Sequence, residues 1–321
     1  SIYDNNDDGV VDNVHIIFAG YGEESGASSN SIWSHEYPHR ISLKSEIGYS
    51  FAGYSCSPEL QGNRGSSISN IGVACHELGH SLGAMDYYDT NYNTAGNYIG
   101  TGRWDIMADG SWNDDGRTPC NFNPYVRSEV FGWTDQTLLT PNQHIVIPRM
   151  EQSNADASTV YRMETMSDGD YFLIENRQQF GAESAIPGSG LMIYHVHPDI
   201  EIYRKTNAIN STHPQCFYPV CASGSYPNIK QYGDINSTGC PFPGSNSVNS
   251  FTRSYRSPLH LQDRQQLHGT EAVQVFQYTG LEIMQSMVLC HSIQRKVIPL
   301  IQGNRLFMMK LLFIMKDLRM D

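Results

Sequence analysis

The chain has 321 residues, of which 39% are hydrophobic and 17% charged, and its formal net charge is −12. No run of 18 apolar residues occurs, which argues against a membrane span. The acidic balance argues against nucleic acid as a partner. The composition therefore predicts a globular protein, with enough chain for one large core or two smaller ones.

The chain begins with an acidic loop, DNNDDGVVD, that has the spacing of a calcium-binding loop. Gly9 takes the turn position, but His15 stands where an EF-hand would have its closing glutamate. A complete EF-hand is therefore disfavoured. We expect a structural Ca²⁺ site closed within the loop or by residues elsewhere, and an Asx-rich turn is the alternative. The expected calcium ligands are Asp4, Asn6, Asp8, the carbonyl of Val10, and Asp12.

The next segments predict a strand, a helix and a long irregular connection. Residues 10–20 read as one buried strand. Residues 68–82 have apolar residues at helical spacing, and Gly83 is a plausible end of this helix. Residues 84–120 are rich in Gly, Asn, Asp and Tyr, and an irregular segment of that length is usually functional. Residues 123–133 predict a short helix after Pro124.

The predicted helix carries HELGH, residues 76–80. His76 and His80 lie one turn apart on the same helix face, where both imidazoles can bind one cation. Glu77 can reach a water on that cation and act as general base and acid. The pattern is expected by chance about 0.02 times in such a chain, so we interpret it as a catalytic Zn²⁺ site.

The third zinc ligand is expected shortly after the helix. Gly83 allows the chain to turn sharply, and Asp86 follows six residues after His80. In the other common plan a glutamate on a later helix is the third ligand, but the first one here is Glu129. Asp86 is therefore the better candidate, and Asp89 remains open as the alternative.

Two further features lie downstream of the helix. Met107 stands in GRWDIMADGSW, whose Gly and Asp residues predict a tight turn, and a turn with methionine below the zinc histidines accompanies the metzincin plan. Tyr87, Tyr88 and Tyr125 are candidates for a hydrogen bond to the transition-state oxyanion, with no basis for choosing one.

From about residue 143 the pattern changes to short strands and turns. The strand-like segments are HIVIPRM, TVYRMET, DYFLIENRQ and GLMIYHVH. In the third, Glu175 and Arg177 share a face, which predicts an ion pair or a polar edge. The predicted domains are a zinc peptidase core at 1–140, a β-rich part at 141–280 and an atypical basic, Met-rich tail at 281–321.

Several motifs occur in an order that resembles the immune inhibitor A-like family of secreted bacterial metallopeptidases. They are DNNDDGVVDNVHIIFAG, IWSHEY, HELGHSLGAMDYYD, RWDIMADGSW, PYVRSEVFGW, YFLIENRQ and PGSGLMIYHV. The resemblance implies an exported zinc endopeptidase with a metzincin-like catalytic domain. It implies zinc ligands at His76, His80 and Asp86 and a catalytic acid/base at Glu77.

We therefore predict an α+β fold: a zincin-like domain with a twisted mixed sheet and an active-site helix, followed by a β-rich region. The predicted function is hydrolysis of protein or peptide substrates outside a bacterial cell, although the chain's first residues do not read as a signal peptide. Two alternatives remain open: a non-catalytic, calcium-stabilised binding module with a relic metal site, and a zinc hydrolase of a non-peptide substrate.

Overall fold

A computed structural model gives the fold of most of the first 251 residues. It describes residues 3–45, 48–91, 99–140, 145–152, 159–164, 169–211, 215–222, 234–248, 250–251 and 273–274. The predicted basic tail at 281–321 lies outside these ranges.

Thirteen strands occur in the part of the chain that the structure describes. They are β1 (Val10–Val11), β2 (Val14–Tyr21), β3 (His35–Tyr37), β4 (Ile41–Leu43), β5 (Tyr49–Phe51), β6 (Tyr54–Leu60), β7 (Gln136–Leu138), β8 (Val160–Glu164), β9 (Tyr171–Arg177), β10 (Gly190–Val196), β11 (Phe217–Pro219), β12 (Ser250–Phe251) and β13 (Val273–Gln274). The described residues also form two α-helices, α1 (Ile71–Ser81) and α2 (Ile200–Arg204). Mixed sheets with few helices place the fold in the α+β class.

Two three-stranded sheets precede and flank the first helix. One has the order β2-β6-β3, with β2 parallel and β3 antiparallel to β6, and the other has the order β1-β5-β4. The single buried strand predicted at 10–20 is wrong. Asp12 accepts a hydrogen bond from the Asn5 backbone through its side chain and donates its own N–H to the Tyr3 carbonyl, which interrupts the strand. On the second of the two strands, Ile16 and Ile17 are exposed.

Helix α1 packs against β6 and carries the histidine motif. It begins at Ile71, three residues later than predicted, because Ile68 still pairs with Leu60 and Asn70 is extended. It ends as predicted, since Gly83 adopts φ +98° and its N–H bonds the His80 carbonyl at 2.8 Å. A side chain at Gly83 would be strained in this conformation.

The described part of the irregular segment at 84–120 contains only short 3₁₀ turns, Gly102–Trp104 and Asp109–Gly116, as predicted. The helix predicted after Pro124 is present as a helical turn followed by a π-helical turn at Val126–Val130. No helix among the described residues is long and apolar enough to cross a membrane.

A five-stranded sheet, in the order β11-β10-β9-β8-β7, contains most of the strands described after residue 135. It confirms three of the four strand-like segments. HIVIPRM was predicted wrongly: its described part makes only a bridge from Arg149 to Asn176. The main hydrophobic cluster includes Trp104 and Met107 together with Leu173 and Tyr194, so one core contains residues from before and after position 140. The domain boundaries stay a prediction.

Candidate metal centre

Helix α1 places His76 and His80 side by side. Their ring centroids are 4.8 Å apart. His76 Nδ1 donates to the Ile106 carbonyl at 2.8 Å, and His80 Nδ1 donates to the Ala84 carbonyl at 2.9 Å. Because a carbonyl oxygen only accepts, Nδ1 carries the hydrogen in each neutral ring, and Nε2 presents a lone pair. Backbone carbonyls commonly orient metal-binding histidines in this way.

The Asp86 carboxylate faces both Nε2 atoms. Its Oδ1 lies 3.2 Å from His76 Nε2 and 3.4 Å from His80 Nε2. Two ligands at about 2.0–2.1 Å from a tetrahedral zinc ion would lie roughly 3.3–3.4 Å apart. Asp86 Oδ1 is also buried without a hydrogen-bond donor. The donor set and its spacing therefore fit a zinc ion.

Asp89 is also buried and lines the same cleft, but its Oδ1 accepts the Asn91 N–H at 3.2 Å. Among the described residues, only one group of three or more potential ligand side chains converges, and it is His76, His80 and Asp86. The geometry thus favours Asp86 over Asp89 as the third ligand, whereas the sequence left both open.

Asn207, which sequence reasoning missed, pairs with Asp86 through both ends of its amide. Asn207 Nδ2 donates to Asp86 Oδ2 at 2.7 Å, and the Asp86 N–H donates to Asn207 Oδ1 at 2.7 Å. The two residues are 121 positions apart, so no local pattern could have connected them.

The two histidines and Asp86 shift one another's pKa values. Burial lowers the pKa of His80, but the adjacent Asp86 carboxylate outweighs it and raises that pKa to about 9. The same balance raises the pKa of His76. Burial would raise the pKa of Asp86, but the two imidazoles hold it well below its usual value. The groups thus favour an anionic carboxylate beside cations, which is the charge arrangement that a bound metal ion would also satisfy.

Glu77 lines the cleft beside the histidines. It is 6% exposed, and burial raises the pKa of its carboxyl group, partly offset by the charges of His76 and His80. A carboxylate with a raised pKa is better suited to accept a proton and later return it near neutral pH.

Met107 lies directly behind the helix, in the tight turn predicted from its sequence context. The turn closes with the Ala108 N–H bonded to the Asp105 carbonyl at 3.0 Å. Met107 is fully buried, and a Cβ added at Gly79 would lie only 2.6 Å from its sulfur. The close approach explains the glycine within the histidine motif. Its role as a metzincin methionine stays a prediction.

A cleft with a volume of about 980 Å³ opens over the three candidate ligands. Tyr88 lines it, whereas Tyr87 is fully buried and Tyr125 donates to Glu201. Of the three tyrosines considered from sequence, Tyr88 is thus the one placed at the cleft. Sequence reasoning also missed Trp33 and Trp112, two partly exposed aromatics on the cleft walls.

The acidic loop is folded around its own backbone. Asp4 accepts hydrogen bonds from the Asp8 and Gly9 N–H groups at 3.1 and 2.9 Å. Asp8 accepts the Val10 N–H at 2.9 Å. These contacts have the form of an Asx-rich turn. The loop carboxylates are not among the converging potential ligands of the described residues, and calcium binding stays a prediction.

A second buried polar cluster lies on the five-stranded sheet. Arg177 donates to Glu175 at 3.0 Å, so the ion pair is present rather than a polar edge, and Arg177 also bonds Glu183. Arg127 donates to the other oxygen of Glu175. We call these four residues the ion network. Arg177 also donates to the Trp104 carbonyl at 2.9 Å, two residues before Ile106, whose carbonyl accepts from His76.

Comparisons with known proteins show what this chain is similar to. Residues 3–131 match the family described as the immune inhibitor A peptidase M6 catalytic domain. Immune inhibitor A of Bacillus thuringiensis subsp. alesti is 33% identical over 136 residues, which are 37% of this chain and 18% of that protein. Pre-pro-metalloprotease PrtV of Vibrio cholerae serotype O1 (strain M66-2) is 31% identical over 162 residues, 44% of this chain and 17% of that protein.

The matched regions span less than a fifth of the length of these relatives. The matches indicate the class: the first part of the chain is similar to metallopeptidase catalytic domains. Residues 3–131 are thus similar to the catalytic domain of the immune inhibitor A peptidase family M6, which confirms the resemblance in the motifs.

Proposed function

We propose that this protein is a secreted, zinc-dependent endopeptidase with a metzincin-like site that hydrolyses peptide bonds of protein substrates. The observation that carries the proposal is the convergence of His76 Nε2, His80 Nε2 and Asp86 Oδ1 in a cleft that Glu77 also lines. Export is inferred from the family resemblance of the motifs, and the bound metal from the donor set.

The three side chains would hold the metal, and Glu77 would move the proton. A zinc ion held there would supply a Lewis acid and a water of lowered pKa. Glu77, whose pKa is raised by burial, would accept the proton of the attacking water and deliver it to the leaving amine. Tyr88, at the cleft, is the candidate donor to the developing oxyanion.

A calcium-stabilised binding module with a relic site remains the alternative from another class. An intact Glu77 beside the histidines argues against it, because a relic site has no use for a proton-transfer group. A zinc hydrolase of a non-peptide substrate would use the same groups. Calcium at Asp4, Asn6, Asp8, Val10 and Asp12 is a subsidiary proposal, supported by loop spacing alone.

The test is zinc content and casein cleavage of the purified protein, with and without a zinc chelator. We expect about one zinc per chain and chelator-sensitive cleavage. Glu77→Gln should keep the zinc and lower kcat by about 10³-fold, which is within the range for losing a general base. Zinc binding without cleavage of casein or gelatin would favour the non-peptide hydrolase.

Glu129→Gln is the matched control. Glu129 is exposed and bonds Gln136, and it is the residue that the rival ligand plan would use. The control should retain both zinc and activity. Full activity in Glu77→Gln, or loss of zinc in Glu129→Gln, would contradict the proposal.

A further inference from the structure

We propose that Asn207 is a positioning residue of the metal centre, which holds Asp86 so that only Oδ1 points to the metal. The inference rests on the proposed zinc site and extends it, because it adds a residue from the second half of the chain. Asn207 lies well beyond residues 3–131, the part matched to the catalytic-domain family.

The contact between the two residues is reciprocal. The Asn207 amide donates to Asp86 Oδ2 at 2.7 Å, and its carbonyl accepts the Asp86 N–H at 2.7 Å. The pair fixes the backbone and the side chain of Asp86 at once. Since Oδ2 is occupied, Oδ1 is left to face the imidazoles of His76 and His80. Such outer partners orient a ligand and set how strongly it binds.

Asn207 is itself held in an unusual conformation. Its φ is +52°, in the left-handed region that asparagine tolerates better than most residues. Its N–H bonds the Arg204 carbonyl at 3.2 Å, just after α2, and its carbonyl accepts the Thr90 hydroxyl at 2.7 Å. The Asn207 backbone is therefore fixed independently of Asp86, which limits the entropy lost when the site is organised.

Further contacts join the same two segments. The Thr90 N–H donates to Ser211 Oγ at 2.9 Å, and the Asn210 amide donates to the Tyr87 carbonyl at 2.8 Å. These bonds attach the segment after α1 to the segment after α2 without touching Asp86. Among Asn207, Asn210 and Ser211, Asn207 is the one that contacts the candidate ligand Asp86. The effect of substituting Asn207 can therefore be separated from a general loosening of the attachment.

The test compares zinc affinity in two Asn207 variants. Asn207→Gly keeps the left-handed backbone and removes the amide, and Asn207→Asp keeps the shape but places a carboxylate against Asp86 Oδ2. Each metal-free protein competes for zinc with a chromophoric chelator. We expect dissociation constants that are 10- to 100-fold weaker for Asn207→Gly, as is usual when an outer partner is lost, and at least as weak for Asn207→Asp.

A second readout separates positioning from loss of structure. The visible spectrum of the Co²⁺-substituted protein reports ligand geometry and should change in both variants, while the urea midpoint of the metal-free Asn207→Gly changes little. Asn176→Ala is the control, because this asparagine also makes one hydrogen bond to a distant carbonyl, that of Ile147, away from the metal centre. It should leave the zinc affinity and the Co²⁺ spectrum unchanged.

The outcomes are distinguishable. A wild-type protein that binds no zinc overturns the proposed function itself. If the wild type binds zinc but Asn207→Gly binds it equally well, or if Asn176→Ala weakens binding as much, the positioning role is wrong. Should Asn207→Gly fail to fold, Asn207→Asp decides alone, and unchanged affinity there overturns the inference.

Discussion

The metal centre and the ion network are both buried clusters of charged side chains, but they differ in how their polar atoms are satisfied. In the network, Arg177 contacts Glu175, Glu183 and the Trp104 carbonyl, so cation and anions neutralise each other inside the protein. In the candidate metal centre, Asp86 Oδ1 lies 3.2 Å and 3.4 Å from the Nε2 atoms of His76 and His80. The network neutralises its own charges, whereas three potential ligand atoms of the candidate metal centre converge.

The difference separates a structural charge cluster from a ligand site. Burying a charged group is costly unless it is paired and hydrogen-bonded, so a network that serves only the fold should satisfy its members internally. A site that binds a metal must leave donor atoms available. The presence of titratable residues does not distinguish a structural charge cluster from a ligand site. The convergence of potential ligand atoms does.

The largest expected effect comes from breaking the ion network. Arg177→Met should lower the free energy of unfolding by about 3–5 kcal/mol, because Glu175 and Glu183 would remain buried without their cation. Urea unfolding of the metal-free protein measures it. Arg117→Met is the matched control: Arg117 pairs with Asp114 at 2.6 Å, but at the surface, so the urea midpoint should scarcely move. Equal shifts in both variants would contradict the distinction.

A substitution in the candidate metal centre should affect zinc binding more than folding. Asp86→Ala removes the proposed third ligand and should weaken zinc binding by more than the roughly 100-fold typical of outer partners. Asp89→Ala serves as the comparison, since its side chain lies outside the converging group, and it should retain zinc. Zinc titration of the two metal-free variants measures the difference. The opposite result would make Asp89 the ligand.

The sequence predicted the two histidines of the candidate metal centre because helix geometry depends only on local sequence. Residues four apart on α1 must share a face, so His76 and His80 could be paired without knowing the fold. Gly83 indicated the sharp turn, and the structure brings Asp86 to the histidines. Asn207 had no local signal, because a hydrogen bond across 121 residues depends on how the five-stranded sheet packs on the first half.

The fold shows the same limit. Strands at 171–177 and 190–196 were predictable from their composition, whereas the strand at 10–20 was predicted as one element. The side chain and N–H of Asp12 interrupt it through contacts with the acidic loop, and a periodicity argument does not include such contacts. The alternation of residues 144–150 likewise looked strand-like, although its described part is irregular apart from one bridge.

His15 gives the smallest expected effect. Its ring is buried and has hydrogen-bond partners, but it has no charged partner. It is 7% exposed, and its ring nitrogens lie 2.9 Å from the hydroxyl groups of Ser55 and Ser57. These neutral partners satisfy the ring without neutralising a charge. Burial accordingly lowers the pKa of His15 from 6.5 to about 4. The folded protein therefore keeps this histidine neutral under conditions in which the unfolded chain is protonated.

The pH dependence follows from that difference. Between pH 6.5 and 4 the unfolded state binds more protons at His15, so its stabilising contribution is present above pH 6.5 and is lost as the pH falls toward 4. The loss from pH 7 to pH 5 should be about 2 kcal/mol. Urea unfolding at both pH values, compared between the metal-free wild type and His15→Gln, isolates the effect because His76 and His80 are common to both. If the wild type loses no more stability than His15→Gln, solvent reaches this histidine in the folded protein. The side chain of His15 would then be less buried than the structure indicates.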